Sequence, residues 1–404
     1  MKYGYFLFFA VYLFSSQIVL AQEAEITGEI NNLHNRILTV DTHADTPMQL
    51  VRRNLDMGKR NNPYKRGGKV DFPRMKEGGL DAMFWAVFVG QGPRTENGHL
   101  NAKEKALSII SKIKEVLELN RDLADLALTA DDAYSIESEG KRAVYIGMEN
   151  GYPVGKDLIL LEKYYKLGVR YVTLSHNGNN EICDSSTDDP EHNGISKFGE
   201  QVVKEMNRLG MIIDVSHISD ESFFDVLKIS KAPVVASHSC CRSLRDHPRN
   251  ITDSMIKSLA ENGGVIQITL VSNFIKKLKP TPERDSAMAE LRKKYEGIEN
   301  LSDEEEKARI DEYYMINDQY PLELTTVSNF VDHIDHVVEI AGINHVGIGS
   351  DFDGGGQLED CFDVSEMKNI TTELVRRGYS EEDISKIWGG NFMRVFRNVE
   401  KVSR

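Results

Sequence analysis

Short apolar runs alternate along this chain with longer stretches in which apolar residues recur at helical spacing. Eight such runs occupy residues 37–42, 81–90, 142–148, 169–174, 210–215, 233–237, 264–271 and 345–350. Several of them are nearly continuous in Val, Ile, Tyr and Phe, which is typical of strands that are buried on both faces of a parallel sheet. The alternation therefore predicts eight β-strands in series, each followed by helical structure.

Cap residues mark several of the intervening helices. Ser196 is a predicted N-cap for a helix that runs to about Leu209, and Gly210 is its predicted stop. Ser219 and Thr252 are predicted N-caps of the next two helices. Eight strand–helix units favour an α/β fold, a (β/α)8 barrel of the TIM type. The alternative is a doubly wound open sheet, which usually has a Gly-rich phosphate loop after its first strand, and none is present here.

One segment interrupts the alternation. Residues 275–324, between the seventh and eighth runs, are highly charged and include Tyr313, Tyr314 and Tyr320. We interpret most of this insertion as solvent-exposed surface helices. Because the insertion follows a strand end, part of it could also form a wall or lid over the barrel mouth. With no linker dividing the chain, residues 22–404 are predicted to form a single domain.

The first residues have a different pattern. Lys2 precedes a short apolar core, a polar break at residues 15–17, and small residues at Val19 and Ala21. This pattern predicts a signal peptide over residues 1–21 with cleavage after Ala21, and hence an exported protein in the periplasm or outside the cell. An uncleaved anchor is disfavoured because the apolar core is short for a bilayer. The polar residues 398–404 lack a lipid-anchor tail, so no stable membrane anchor is expected after cleavage.

Composition narrows the function classes. The chain has 404 residues, 40% hydrophobic and 28% charged, as in an ordinary globular protein. Its formal net charge is −14, and loss of Lys2 with the signal makes it −15, so we expect no nucleic-acid partner. Cys183, Cys240, Cys241 and Cys361 suggest neither a zinc ribbon nor a particular disulfide pairing. The oligomeric state is left open, with a homodimer as one possibility.

Histidine, aspartate or glutamate residues stand at the C-terminal ends of six of the eight runs. They are His43 and Asp45 after the first run, Glu149 after the third, His176 after the fourth, His217 after the fifth, His238 after the sixth and Asp351 after the eighth. In a barrel these ends converge on one face, where the active site of this fold lies. A lone histidine at a strand end is more often structural. So many buried imidazoles and carboxylates, however, would each cost about 2–7 kcal/mol or more without a cation.

The donor set indicates the kind of metal. Imidazole nitrogen with carboxylate oxygen and no thiolate suits zinc, with manganese, cobalt or iron as substitutes. His43, Asp45, Glu149, His217 and His238 are more ligands than one tetrahedral ion with an open position needs. They fit two Zn²⁺ ions that share a bridging carboxylate, with a bridging water or hydroxide as the nucleophile.

Several segments together resemble the signature elements of the membrane dipeptidases, also called renal dipeptidases, which belong to the amidohydrolase-type metal barrels. The matching segments are His43-Ala44-Asp45, Glu149, Ser175-His176-Asn177, Asp214-Val215-Ser216-His217, Ser237-His238-Ser239, Arg249-Asn250 and Gly347-Ile348-Gly349-Ser350-Asp351-Phe352-Asp353-Gly354. The resemblance runs from about residue 37 to 400, and the segments follow the order of the family.

The resemblance implies a role for each metal ligand. His43 and Asp45 would bind one zinc, His217 and His238 would bind the other, and Glu149 would bridge both.

The resemblance also implies three roles toward the substrate. His176 would contact the substrate carbonyl and stabilise the oxyanion, and Arg249 would hold the terminal carboxylate of a dipeptide. Asp351 would take the proton of the bridging water and pass it to the leaving amine. Arg242 and Arg245 lie close to Arg249 in the sequence, and only the Arg-Asn pair at the family's distance from His238 selects Arg249.

Three hypotheses follow. The first is an exported zinc dipeptidase that cleaves dipeptides with a free C-terminal carboxylate, with a D-residue accepted at the second position as in the family. The second is another binuclear-metal hydrolase, a deaminase, lactonase or phosphotriesterase, because fold alone does not choose the substrate. Arg249 discriminates between these two, since only a substrate with a carboxylate needs it. The third is a non-catalytic metal-binding or structural protein, which would need neither His176 nor Asp351.

Overall fold

The computed structural model describes residues 28–65, 67–295 and 302–403. The predicted signal segment and its cleavage position therefore lie outside the described residues. Residues 28–36 form the first helix, α1, which leads into the first strand.

Nine parallel strands form one sheet in the described part of the chain. They are β1 (Val40–Ala44), β2 (Ala82–Phe88), β3 (Ala124–Leu126), β4 (Arg142–Glu149), β5 (Val169–Thr173), β6 (Ile212–Asp214), β7 (Val235–Ser239), β8 (Val265–Ile268) and β9 (Val346–Ile348). Eight strands pair in the order β1-β2-β4-β5-β6-β7-β8-β9, and the short β3 pairs with β4 outside this order. The eight correspond to the eight predicted runs, whereas β3 was not predicted.

The ends of the sheet meet at the carboxyl side of β1. Ala44 forms a parallel bridge with Phe352. The backbone N–H of Asp351 donates to the carbonyl of His43 at 2.9 Å, and that of Asp45 donates to the carbonyl of Phe352 at 2.8 Å. The segment after β9 therefore returns to β1 and nearly closes the barrel. The predicted (β/α)8 fold is confirmed.

Helices surround the barrel. They are α2 (Thr46–Arg53), α3 (Phe72–Gly78), α4 (Glu96–Leu119), α5 (Asp132–Ser138), α6 (Ile159–Lys166), α7 (Lys197–Leu209), α8 (Asp220–Ile229), α9 (Asp253–Glu261), α10 (Ser272–Ile275), α11 (Pro282–Tyr295), α12 (Asp303–Gln319), α13 (Val327–Ala341), α14 (Lys368–Arg376), α15 (Glu381–Ser385) and α16 (Asn391–Val402). No helix in this described part combines the length and the apolar character needed to cross a membrane.

The predicted caps are present. The side chains of Ser196, Ser219 and Thr252 accept backbone N–H groups in the first turns of α7, α8 and α9. Helix α7 ends at Gly210, whose φ of 72° is accessible to glycine without a steric cost. These helices occupy the barrel exterior between strands β5 and β8, so the caps fix where each strand end emerges.

An aromatic layer fills the amino-terminal half of the barrel. The rings of Phe84 and Tyr145 stack with centroids 4.5 Å apart, and Phe84 also lies 5.4 Å from Tyr171. From outside, Phe392 and Phe396 of α16 pack on Phe84, at 5.1 and 6.4 Å. Helix α16 therefore closes the amino-terminal end, which leaves the carboxyl-terminal mouth as the accessible face.

The charged insertion contributes α11 and α12, which are mostly exposed. Tyr314 of α12 is contacted by Arg53 of α2, whose guanidinium carbon lies 4.5 Å from the ring centroid. Because Arg53 is the last residue of α2, this contact places α12 beside the C-terminal end of α2. All four cysteines are buried as free thiols.

Candidate metal centre

The predicted ligands come together at the carboxyl-terminal mouth. His43 lies on β1, Glu149 is the last residue of β4, and His238 lies on β7. One nitrogen or oxygen from each of these three lies within 4.8 Å of the others. Two more such triads, Glu149-His176-His217 and His43-Asp45-Asp351, share members with the first. The ligand atoms therefore form one continuous cluster.

Glu149 is the centre of this cluster because its two carboxylate oxygens face different histidines. Oε1 lies 3.1 Å from Nε2 of His217 and 3.5 Å from Nε2 of His238. Oε2 lies 3.6 Å from Nε2 of His43. A carboxylate that bridges two cations presents one oxygen to each, and Glu149 has this arrangement.

His217 and His238 face each other with their Nε2 atoms 2.9 Å apart. Burial, and after it nearby positive charges that include Arg249, lower the pKa of both imidazoles well below the ordinary value. Two neutral imidazoles with converging nitrogens are suited to a shared cation, because imidazole binds metals in its neutral form. His217 has a φ of 71°, which is uncommon for a residue with a side chain and occurs at functional sites.

His43 and Asp45 form the other part of the cluster. Nε2 of His43 lies 3.8 Å from Oδ2 of Asp45. Nε2 of His43 and Oδ1 of Asp45 are both buried, and neither has a hydrogen-bond partner among the described residues. Such orphaned polar atoms are costly in a dry interior and are what a bound cation would satisfy.

The charge balance of the mouth also favours cations. Burial, and to a lesser extent repulsion from Glu149, raises the pKa of Asp45. Burial, and to a lesser extent repulsion from Asp45, raises the pKa of Asp351 well above its ordinary value. Although burial opposes it, the pKa of His43 is raised well above the ordinary value by Tyr171 and Glu149. The pocket therefore favours added positive charge, and the residues present fit a divalent metal centre.

His176 lies beside this cluster and is more exposed than the buried ligands. Its Nε2 is 3.6 Å from Oε1 of Glu149, and its ring lies 4.2 Å from that of His217 and 4.7 Å from that of Phe88. Burial lowers the pKa of His176, so the ring is neutral at neutral pH and can donate one N–H toward the opening.

The three neighbouring arginines have different surroundings. Arg249 is buried, its Nη2 donates to the carbonyl of His238 at 3.0 Å, and its Nε has no partner among the described residues. Arg242 is already paired with both oxygens of Asp220, at 2.6 and 2.7 Å. Arg245 is partly exposed and donates to the backbone carbonyls of Asn273 and Asp246. Of these three arginines, Arg249 therefore lies next to the cluster and has N–H groups available to bind a substrate.

Two residues without a predicted role support the cluster from behind. The hydroxyl oxygen of Tyr171 lies 2.7 Å from Nδ1 of His43. Asp214 accepts a 2.6 Å hydrogen bond from Ser237, whose Oγ lies 2.8 Å from Nδ1 of His238. The sequence signal for both was weak: each is a polar residue within an apolar strand, and its partner is set by the fold.

Comparison with known proteins decides the family. The model of the membrane dipeptidase family, peptidase family M19, matches residues 27–404. This chain belongs to the membrane dipeptidase family. The predicted family and the predicted enzyme class, a metal-dependent hydrolase of the dipeptidase type, are thereby confirmed.

Individual relatives cover nearly the whole family domain. Dipeptidase tcpJ of Claviceps purpurea is 35% identical over 373 residues, which span 90% of this chain and 77% of the relative. Dipeptidase verJ of Clonostachys rogersoniana is 33% identical over 345 residues, 83% of this chain and 76% of the relative. The crystal structure of the probable dipeptidase PvdM from Pseudomonas aeruginosa is 30% identical and superposes with a TM-score of 0.79, covering 94% of this chain and 99% of that one.

Proposed function

We propose that this membrane dipeptidase family member is an exported zinc dipeptidase that hydrolyses dipeptides with a free C-terminal carboxylate, including dipeptides with a D-residue at the second position. The observation that carries the proposal is the divided orientation of the Glu149 carboxylate, one oxygen toward His217 and His238 and the other toward His43. A buried, incompletely paired Arg249 beside this cluster supports a substrate with a carboxylate.

Two Zn²⁺ ions would be held by this cluster. His43 and Asp45 would hold one, His217 and His238 the other, and Glu149 would contact both. The absence of a thiolate among the ligands favours zinc or a similar borderline ion. When bound, such a pair of ions supplies Lewis acidity and an activated water.

The residues of the chain divide the remaining work. Arg249 binds the terminal carboxylate and thereby places the scissile amide against the cluster. His176, as a neutral N–H donor, stabilises the negative charge that develops on the carbonyl oxygen. Asp351 takes a proton from the attacking water and gives it to the amide nitrogen, so that the C–N bond breaks with a neutral amine as the leaving group.

The wider organisation is also part of the proposal. We assign residues 22–404 to one catalytic domain, because the eight barrel strands form one sheet and α16 closes its amino-terminal end. Export is inferred from the signal pattern of residues 1–21 and predicts that the mature chain begins at residue 22, which N-terminal sequencing of secreted protein would test. Acceptance of a D-residue rests on the family resemblance. The homodimer stays a prediction.

Hydrolysis of simple dipeptides tests the function. The purified mature protein is incubated with L-Ala-L-Ala, L-Ala-D-Ala and Gly-D-Ala as prepared, after chelation, and after restoration with Zn²⁺. We expect cleavage that is lost with the metal and returns with zinc. A His217→Ala variant should be inactive. A His345→Ala variant should stay active, because the His345 imidazole hydrogen-bonds the backbone carbonyl of Gly264 and does not belong to the cluster. Absence of cleavage by protein with zinc confirmed bound would refute the proposal.

A further inference from the structure

Tyr171 links the hydrophobic interior of the barrel to the metal centre. It lies in the middle of β5, and its ring belongs to the aromatic layer with Phe84 and Tyr145. Its hydroxyl points the other way, toward the mouth, and lies 2.7 Å from Nδ1 of His43. The ring planes of Tyr171 and His43 are inclined by only 21°.

The chain makes room for this ring at a specific position. A methyl group on Gly147 of β4 would lie 2.1 Å from the Tyr171 ring, which no side chain tolerates. Glycine within a strand is unfavourable unless another group approaches closely, and here the approaching group is the tyrosine ring. Gly147 also lies two residues before Glu149, so the tyrosine ring packs against the strand that ends in this candidate ligand.

The hydroxyl is not explained by packing. Phenylalanine would fill the same space and would avoid burying a phenol oxygen, which costs free energy unless it is hydrogen-bonded. Among the described residues, His43 is the partner that satisfies this hydroxyl. A buried phenol that is hydrogen-bonded to a nitrogen of a proposed metal ligand is therefore better explained by that ligand than by packing of the core.

The bond fits a histidine that binds metal through its other nitrogen. Nε2 of His43 faces Asp45 and Glu149 and has no hydrogen-bond partner among the described residues. If Nε2 holds a cation, the ring proton must lie on Nδ1, where the Tyr171 oxygen can accept it. Metal-binding histidines commonly donate their second N–H to such a partner, which fixes the tautomer and the ring orientation.

We propose that Tyr171 is a positioning residue that orients His43 for metal binding by accepting the Nδ1 proton of its imidazole. This inference rests on the proposed metal centre and assigns that centre a residue that acts through a ligand without touching metal or substrate. His238 has a different support, Ser237 backed by Asp214, so the two ends of the centre are predicted to respond separately to mutation.

A titration of zinc affinity tests the proposal. Metal-free wild type and Tyr171→Phe are titrated with Zn²⁺ in competition with a chromophoric chelator. We expect two binding steps in the wild type. In Tyr171→Phe one step should weaken by about 10- to 100-fold while the other changes little. Tyr145→Phe is the matched control, because Tyr145 is an equally buried barrel tyrosine whose hydroxyl donates to the backbone carbonyl of Thr129.

A double-mutant cycle separates positioning from a general effect on the barrel. In a His43→Ala background, Tyr171→Phe should cause no further loss of zinc affinity, because its effect passes through the missing ring. An unchanged affinity in Tyr171→Phe, an equal loss in Tyr145→Phe, or a full additional loss in the His43→Ala background would each overturn the proposal. Failure of the wild type to bind zinc would instead refute the proposed function itself.

A measurement on the wild type does not depend on any variant folding. The ¹⁵N chemical shift of His43 Nδ1 in zinc-loaded protein reports whether this nitrogen carries a proton. A protonated Nδ1 is the expected result, and an unprotonated Nδ1 would overturn the proposal.

Discussion

Replacement of Arg249 by methionine is the sharpest perturbation of the proposed substrate site. Methionine keeps much of the aliphatic volume and removes the guanidinium, which is buried and donates to the carbonyl of His238. Truncating one partner of a buried, hydrogen-bonded charge pair costs about 2–5 kcal/mol. We take a loss of about 3 kcal/mol in binding free energy for Arg249→Met. Because about 1.4 kcal/mol corresponds to a factor of ten, kcat/KM for a dipeptide should fall roughly 100-fold.

The loss should appear mainly in KM. The carboxylate of the substrate is remote from the reacting amide, so Arg249 should bind the ground state and the transition state about equally. Removing such uniform binding raises KM and leaves kcat nearly unchanged. The assay compares L-Ala-L-Ala with L-Ala-L-alaninamide, which has the same amide but no carboxylate. The amide should be a poor substrate of both proteins, and Arg249→Met should reduce its kcat/KM little.

Arg245→Met is the matched control, because Arg245 is partly exposed and, among the described residues, its hydrogen bonds go to backbone carbonyls. It should hydrolyse L-Ala-L-Ala as the wild type does. An unchanged KM in Arg249→Met, or an equal loss for the dipeptide and its amide, would refute carboxylate recognition by this residue. That outcome would favour another binuclear-metal hydrolase over a dipeptidase.

Three further predictions concern stability and the geometry of the mouth. Arg74→Met should lower the free energy of unfolding by about 3–5 kcal/mol in denaturant titrations, because it leaves the buried carboxylates of Asp71 and Asp363 without their partner. Arg60→Met removes an exposed ion pair and should cost under about 1 kcal/mol, so equal losses in the two variants would contradict this prediction. Burial holds the pKa of His34 at about 4, below its ordinary 6.5. Protonation of His34 therefore favours unfolding, and the free energy of unfolding should fall by up to about 3 kcal/mol as the pH falls from 6.5 to 4. In His34→Gln this dependence on pH should be weaker, and an unchanged dependence would contradict the assignment to His34. Gly354→Ala would place a methyl group 2.1 Å from oxygens of two site carboxylates, so dipeptidase activity should fall about 100-fold, and activity within twofold of wild type would exclude this steric role.

The architecture was predictable because its elements are local. The eight strands follow continuous β-branched and aromatic runs, and Ser196, Ser219 and Thr252 cap helices through contacts within a few residues. The bounds were less accurate: the first run was placed at 37–42, whereas β1 spans Val40–Ala44. The three-residue β3 was missed because Ala124–Leu126 is too short for a periodic pattern.

The candidate site was predictable only to the level of which residues gather. Strand ends converge in a barrel, so the meeting of His43, Glu149 and His238 follows from the order of the runs. The choice of Arg249 over its neighbours could not be made from residues alone, because it depends on Asp220 having already paired with Arg242. Such pairings depend on tertiary contacts that no local pattern encodes.

Tyr171 shows the same limit more clearly. Its partner His43 lies 128 positions away, and the pair forms because β1 and β5 contribute to the same nearly closed barrel. In the sequence this tyrosine is one aromatic residue in a strand, where aromatics are common. The role of its hydroxyl can be inferred only when the position of His43 Nδ1 is known. The need for glycine at position 147 likewise follows only from the position of the Tyr171 ring.

The backbone at the mouth connects these observations. His217 and Asp351 have φ values of 71° and 60°, conformations that cost on the order of 1–3 kcal/mol for residues with side chains. At Asp351 the strained residue also donates its N–H to the carbonyl of His43, so the bond that helps to close the barrel also holds Asp351 next to His43. A chain selected only for stability would place glycine at such positions. The roles proposed for His217 and Asp351 explain why residues with side chains occupy these positions despite the cost in stability.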